Sequence, residues 1–173
     1  MSLKKEKILK SAIQLFSELG YSSTSTSKIA KSAGVSEGLI FRHFGNKEGL
    51  LNALIEQIKE KTFHSYAPIL AKSEPKEFIL GILSLPFGLE EEDYHAWRLI
   101  YSLKWQTESY DRSISDPIRH ELQKAFAQLN YKDPEAEAEG LMIIIDGIAT
   151  AVLLRKPKNL TAIKQSILSK YNL

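Results

Sequence analysis

The chain contains no cysteine, which removes disulfides, thiolate nucleophiles and the usual structural zinc sites from consideration. No apolar run approaches the roughly 18 residues that a membrane helix needs. Nor does a charged leader followed by an apolar stretch and a small-residue cleavage site open the sequence. The expectation is a cytoplasmic protein with no membrane partner. The histidines His43, His64, His95 and His120 are scattered, with no His-x-x-x-His or His-x-x-Glu pair to set two metal ligands on one helical face. No metal is therefore expected. A glycine-rich phosphate loop and a Ser/His/Asp or Cys/His set are missing as well, so neither a cofactor nor an enzyme is expected. Val/Ile/Thr alternation, the mark of half-buried strands, is also lacking.

What the chain does have is an ordinary globular balance, with 43% hydrophobic and 25% charged residues over 173 positions. That length can bury a proper core without covalent staples. The net charge of +2 conceals an asymmetry: residues 1 to 61 carry a formal +4 and residues 62 to 173 a formal −2. A basic first third on a mildly acidic body points to a polyanionic partner at one end of the molecule.

Ile8, Leu9, Ala12, Ile13, Leu15, Phe16 and Leu19 recur at helical spacing, so Lys4 to Leu19 reads as an amphipathic helix closed by Gly20. Ser25 is placed to cap a short second helix from Ser27 to Ala33, which Gly34 ends. Ser36 is placed to cap a third from Glu37 to Phe44, and Asn46 a fourth from Lys47 to Lys61. Further helices are expected over Lys76 to Leu85, Glu90 to Ser109, Pro117 to Leu129, Pro134 to Leu154 and Leu160 to Tyr171, with the prolines as punctuation. Asp116-Pro117 and Asp133-Pro134 each place a capping acid before a proline at the first helical position.

Two short helices joined by a glycine-bearing turn have the size and connection of a DNA-binding helix-turn-helix. In such a motif the first helix braces against the backbone and the second lays its leading turn against base edges in the major groove. Ser36, Glu37 and Gly38 occupy that turn. Hydroxyls and free backbone N–H groups at Ser25, Thr26, Ser27 and Ser36 suit phosphates, while Arg42, His43 and Lys47 lie where the helix exits towards the backbone. Two roles are open for Glu37: accepting from a cytosine amino group, or stabilising its own helix N-terminus.

The set Gly20-Tyr21, Thr24-Ser25, Ile29-Ala30, Ala33-Gly34-Val35-Ser36, Gly38, Phe41, His43-Phe44, Lys47-Glu48 and Leu50-Leu51 resembles the TetR-type repressor signature over about the first 55 residues. The departures are Leu39, where that family usually has a small hydroxyl residue, and Phe41, where it usually has tyrosine. Phe41 keeps an aromatic edge without a donor, and Leu39 is open to a thymine methyl or to inward packing. The resemblance implies a homodimer on palindromic double-stranded DNA, a body that encloses a small-molecule effector, and a dimerisation pair formed by the last two helices. Trp97, Tyr101 and Trp105 fall four apart on one helical face, a pattern that suits core packing first and the wall of a pocket second. Phe63, Tyr66 and Phe87 fit that role less well. Asp146 interrupts an apolar helix and requires a partner or a rim position.

The expected architecture is all-α: a three-helix helix-turn-helix headpiece over residues 1 to 46, and a larger helical effector-binding and dimerisation domain over residues 47 to 173. Two headpieces about 34 to 36 Å apart would read successive major grooves, and an effector that tilts the fourth helix would change their spacing. The rival is a helical ligand-binding or protein-interaction module that has lost DNA binding.

Overall fold

The apolar periodicities appear as nine α-helices and no strands among the described residues of the computed structural model. Those are residues 3–106 and 115–171, with the side chains of Ser65, Glu92, Trp105 and Gln106 outside the set. They fall into two compact units, Met1–Phe63 with Glu92–Tyr110, and His64–Glu91 with Asp111–Leu173.

In the first unit, α1 (Leu3–Leu19) buries Ile8, Leu9, Ala12 and Phe16 along one face. Gly20, at φ 84°, turns the chain. The buried Thr24 hydroxyl donates to the Gly20 carbonyl at 2.8 Å and so is satisfied. α2 (Thr26–Ala33) and α3 (Glu37–Phe44) follow, and α4 (Lys47–Leu70) begins at the Asn46 cap, whose Oδ1 accepts from the Gly49 N–H at 2.7 Å. α6 (Tyr94–Gln106) lies along α1, and its Leu99 and Leu103 enter the same core as Ile29, Ile40, Leu50 and Leu54. The packing unit therefore extends past the residue-46 boundary drawn from sequence. About forty residues in three helices cannot bury enough apolar surface alone, and α4 and α6 supply the rest.

The second unit holds α5 (Pro75–Ser84), a 3-10 turn at Leu85–Gly88, α7 (Asp116–Gln128), α8 (Pro134–Arg155) and α9 (Leu160–Leu168). α7 packs on α8 and α5 around Ile79, Leu83, Leu122, Phe126 and Leu141. Phe126 meets Tyr131 edge to face at 5.0 Å. Asp133 caps α8 by accepting from the Ala136 N–H at 3.1 Å, ahead of Pro134. Asp116 does not cap: it lies inside α7 and pairs with Arg119 at 2.6 Å, while Ser115 holds the cap position.

Two other boundaries differ from expectation. The fourth helix does not stop at Lys61 but runs to Leu70 through Pro68. A proline there deletes one donor in the last turn only, and the Ala71 N–H still reaches the Ala67 carbonyl at 3.0 Å. The helix expected from Glu90 begins at Tyr94, after a 3-10 turn at Glu91–Asp93. Its expected end at Ser109 lies outside the described residues. No helix among the described residues is long and apolar enough to cross a membrane.

Candidate nucleic-acid interface

The α2–α3 turn is built by Gly34, whose φ of 65° and ψ of 39° are left-handed. From there the Val35 N–H donates to the Ala30 carbonyl at 3.0 Å, closing the end of α2. Val35 packs against the core and fixes the angle between the two helices. The Ser25 hydroxyl caps α2 by accepting from the Lys28 N–H at 3.2 Å. Ser36 holds the cap position of α3, but its side chain makes no capping hydrogen bond, which leaves the hydroxyl available to an outside partner.

Only Ile40 of α3 is buried. Ser36, Glu37 and Gly38 are exposed, as are Phe41, at 47%, and Arg42. A Cβ added at Gly38 would meet nothing within 4 Å, so the leading turn offers open space for another molecule to approach. His43 is half-buried beside Phe44, their rings 6.0 Å apart. Leu39 is also half-buried and packs against the core, which favours the inward reading of that side chain. On α2 Ser25 and Ser27 are exposed and Thr26 is half-buried.

Lys47 opens α4 with its ammonium 4.3 Å from the centre of the Tyr21 ring and 3.4 Å from the Ser22 carbonyl it donates to. A cation over an aromatic face is held without being neutralised. Phe16 braces Tyr21 from the core at 5.2 Å. Burial first, and the Glu48 carboxylate second, raise the Tyr21 phenol above its ordinary 10.0, so Lys47 faces a neutral ring at physiological pH. Tyr21 escaped the sequence reading as a functional residue. The signal was the Gly20-Tyr21 step before the motif, but nothing local tells which distant side chain the ring supports.

The aromatic stripe open to core packing or to a pocket wall is on α6, where Trp97 and Tyr101 are half-buried; the side chain of Trp105 lies outside the described set. The Lys104 ammonium stands 4.3 Å from the Tyr101 ring, Arg98 is exposed, and His95 Nδ1 lies 2.7 Å from Ser17 Oγ on α1. In the second unit Asp146 is half-buried and acts on Tyr66. There α8 exposes Ile143 at 64% and Leu154 at 68%, and α9 buries none of its residues, Ile163 being 38% exposed. An open groove of about 570 Å³ runs along them, lined by Phe87, Ile144, Gly147, Ile148, Ala151, Val152, Arg155, Pro157, Leu160 and Ile163. Among the described residues no group of three His, Asp or Glu side chains is placed to hold a metal ion.

Against known proteins, residues 8–54 match the model of the family described as "Bacterial regulatory proteins, tetR family". The chain is 26% identical to the HTH-type transcriptional regulator BetI of Stenotrophomonas maltophilia, over 84% of this chain and 79% of that protein. It is 28% identical to the BetI of Proteus mirabilis, over 95% of this chain and 88% of that one. Its fold is similar to that of AibR, solved in complex with isovaleryl coenzyme A and operator DNA, with a TM-score of 0.72 at 18% identity over 96% of this chain and 97% of that one.

Proposed function

Since the chain is a TetR-type HTH transcriptional regulator, we propose that it represses transcription by binding a palindromic operator as a homodimer, which a small molecule releases. The reading is carried by the exposure of the α3 leading turn on a helix that buries Ile40 alone. Glu37 and Gly38 stand nearest the base edges, with Leu39 packed inward behind them. Ser25, Ser27, Ser36, Arg42, His43 and Lys47 anchor phosphates, with the Phe41 edge beside them.

A second copy of the chain covers the apolar face of α8 and α9, which supplies Ile143, Leu154 and Ile163 to a four-helix contact about a two-fold axis. Two recognition helices then meet one palindrome. Ile163→Lys should convert the dimer to a monomer in sedimentation, and an unchanged dimer would place the contact elsewhere.

The effector occupies the helical body beside Trp97, Tyr101 and Trp105. α6 shares its core with α1, so a shift of α6 is felt by the DNA-binding helices. The effector can release DNA only by its differential affinity for the two arrangements, and so binds the DNA-free form more tightly. The protein acts in the cytoplasm by binding alone, with no catalytic step.

A mobility-shift titration on the DNA upstream of the chain's own coding sequence tests this reading. Sequence-specific retardation that weakens as salt rises is the expected result. No retardation at low salt would favour a ligand-binding or interaction module that has lost its DNA role.

A further inference from the structure

The Thr26 hydroxyl donates to a Glu37 carboxylate oxygen at 2.6 Å, joining the first residue of α2 to the first residue of α3 across the turn. Thr26 is half-buried and Glu37 exposed, so a fixed group holds one that reaches solvent. From sequence Thr26 was expected to donate to a phosphate. In the folded chain its hydroxyl proton is engaged inside the motif.

The second carboxylate oxygen remains an acceptor, because an ionised carboxylate has no donor. The next residue, Gly38, leaves the surface of the leading turn open, since a Cβ there would meet nothing within 4 Å. In the major groove cytosine and adenine present an amino donor, whereas guanine shows N7 and O6 acceptors and thymine an O4 acceptor with a methyl group. A carboxylate at this place thus accepts from an amino-bearing base and is repelled by the acceptor edges of the other two.

We propose that Thr26 is a positioning residue for sequence readout: its hydroxyl holds Glu37 so that the remaining carboxylate oxygen accepts from the exocyclic amino group of a base, cytosine above all. The proposal rests on the DNA-binding reading given above. Without the hydroxyl, Glu37 is an exposed flexible side chain that has to be ordered at each binding event, and its discrimination between bases drops.

The test uses the full chain. Selection from a randomised duplex pool identifies the site bound by the unaltered protein, and the position whose preference changes in E37Q is the one read by Glu37. Affinities are then measured on four duplexes differing only at that position, for the unaltered protein, T26V, T26S and T26V/E37Q. T26V should lose discrimination at that position on the order of tenfold while its salt dependence stays that of the unaltered protein. T26S, which keeps a hydroxyl, should restore it, and T26V/E37Q should discriminate no worse than E37Q. Full discrimination in T26V overturns the proposal. So does a loss that is uniform across all four duplexes with a shallower salt dependence, because Thr26 is then a phosphate anchor. If the unaltered protein selects no sequence, the DNA-binding reading fails and the proposal with it. Because Glu37 is exposed, E37Q reports on readout even if T26V folds poorly.

Discussion

Replacing Lys47 by alanine tests the assignment of the phosphate anchor quantitatively. The ammonium stands 4.3 Å from the Tyr21 ring centre and donates to the Ser22 carbonyl at 3.4 Å, so its place at the start of α4 is fixed while its charge is not cancelled. Each neutralised phosphate contributes about 0.9 to the dependence of log affinity on log salt. Two copies in the proposed dimer make the loss about 1.8 in slope. Between about 50 and about 200 mM salt the unaltered protein should therefore lose about twelvefold more affinity than Lys47→Ala. Tyr21→Leu removes the ring and keeps the charge. The ring orders the Lys47 side chain before DNA arrives, and ordering a rotamer-rich side chain at an interface costs about 0.5–1.5 kcal/mol, so affinity should fall about two- to twelvefold per half-site with the slope unchanged. Fluorescence anisotropy on one operator duplex at several salt concentrations reads both quantities, and matching melting curves exclude a folding defect. Parallel salt plots for the unaltered protein and Lys47→Ala would refute the assignment.

Burial first and the Asp146 carboxylate second push the Tyr66 phenol from its ordinary 10.0 up to about 12. A folded value above the unfolded one favours the protonated folded state, so this stability is complete below pH 10 and is lost as pH rises towards 12. The loss amounts to roughly 2–3 kcal/mol. Urea unfolding at pH 9 and near pH 12 should show a smaller decline for Tyr66→Phe than for the unaltered chain, and equal declines would contradict the burial of the phenol beside Asp146. At the α3–α4 junction a Cβ on Gly49 would fall 2.0 Å from the Phe44 carbonyl oxygen, and neither backbone can yield without moving a helix. Gly49→Ala should cost about 1–3 kcal/mol, lowering the melting temperature by roughly 2–12 °C. Gly38→Ala, in open space, should not lower it; equal melting of the two variants would show that the junction is slack.

Local chemistry made much of this protein legible in its sequence. Ser25 and Asp133 cap the helices that follow them, and Gly34 turns left-handed between α2 and α3, because a cap or a tight turn is decided within a few residues by hydrogen bonds and backbone sterics. The exposed face of α3 followed from the same periodicity that buries Ile40. Pro68 and Asp116 depart from the roles that local chemistry favours for them, helix stop and helix cap, because α4 continues through the one and α7 already includes the other.

Everything joining residues distant in the chain was settled by tertiary packing. Leu99 of α6 enters the core with Ile8 and Phe16 of α1, Lys47 rests on Tyr21, and Thr26 reaches Glu37. A helical repeat records which residues share a face but not which partner that face meets. The partner is chosen when apolar surface from several helices is withdrawn from water together, and the polar contacts around that core follow from the choice.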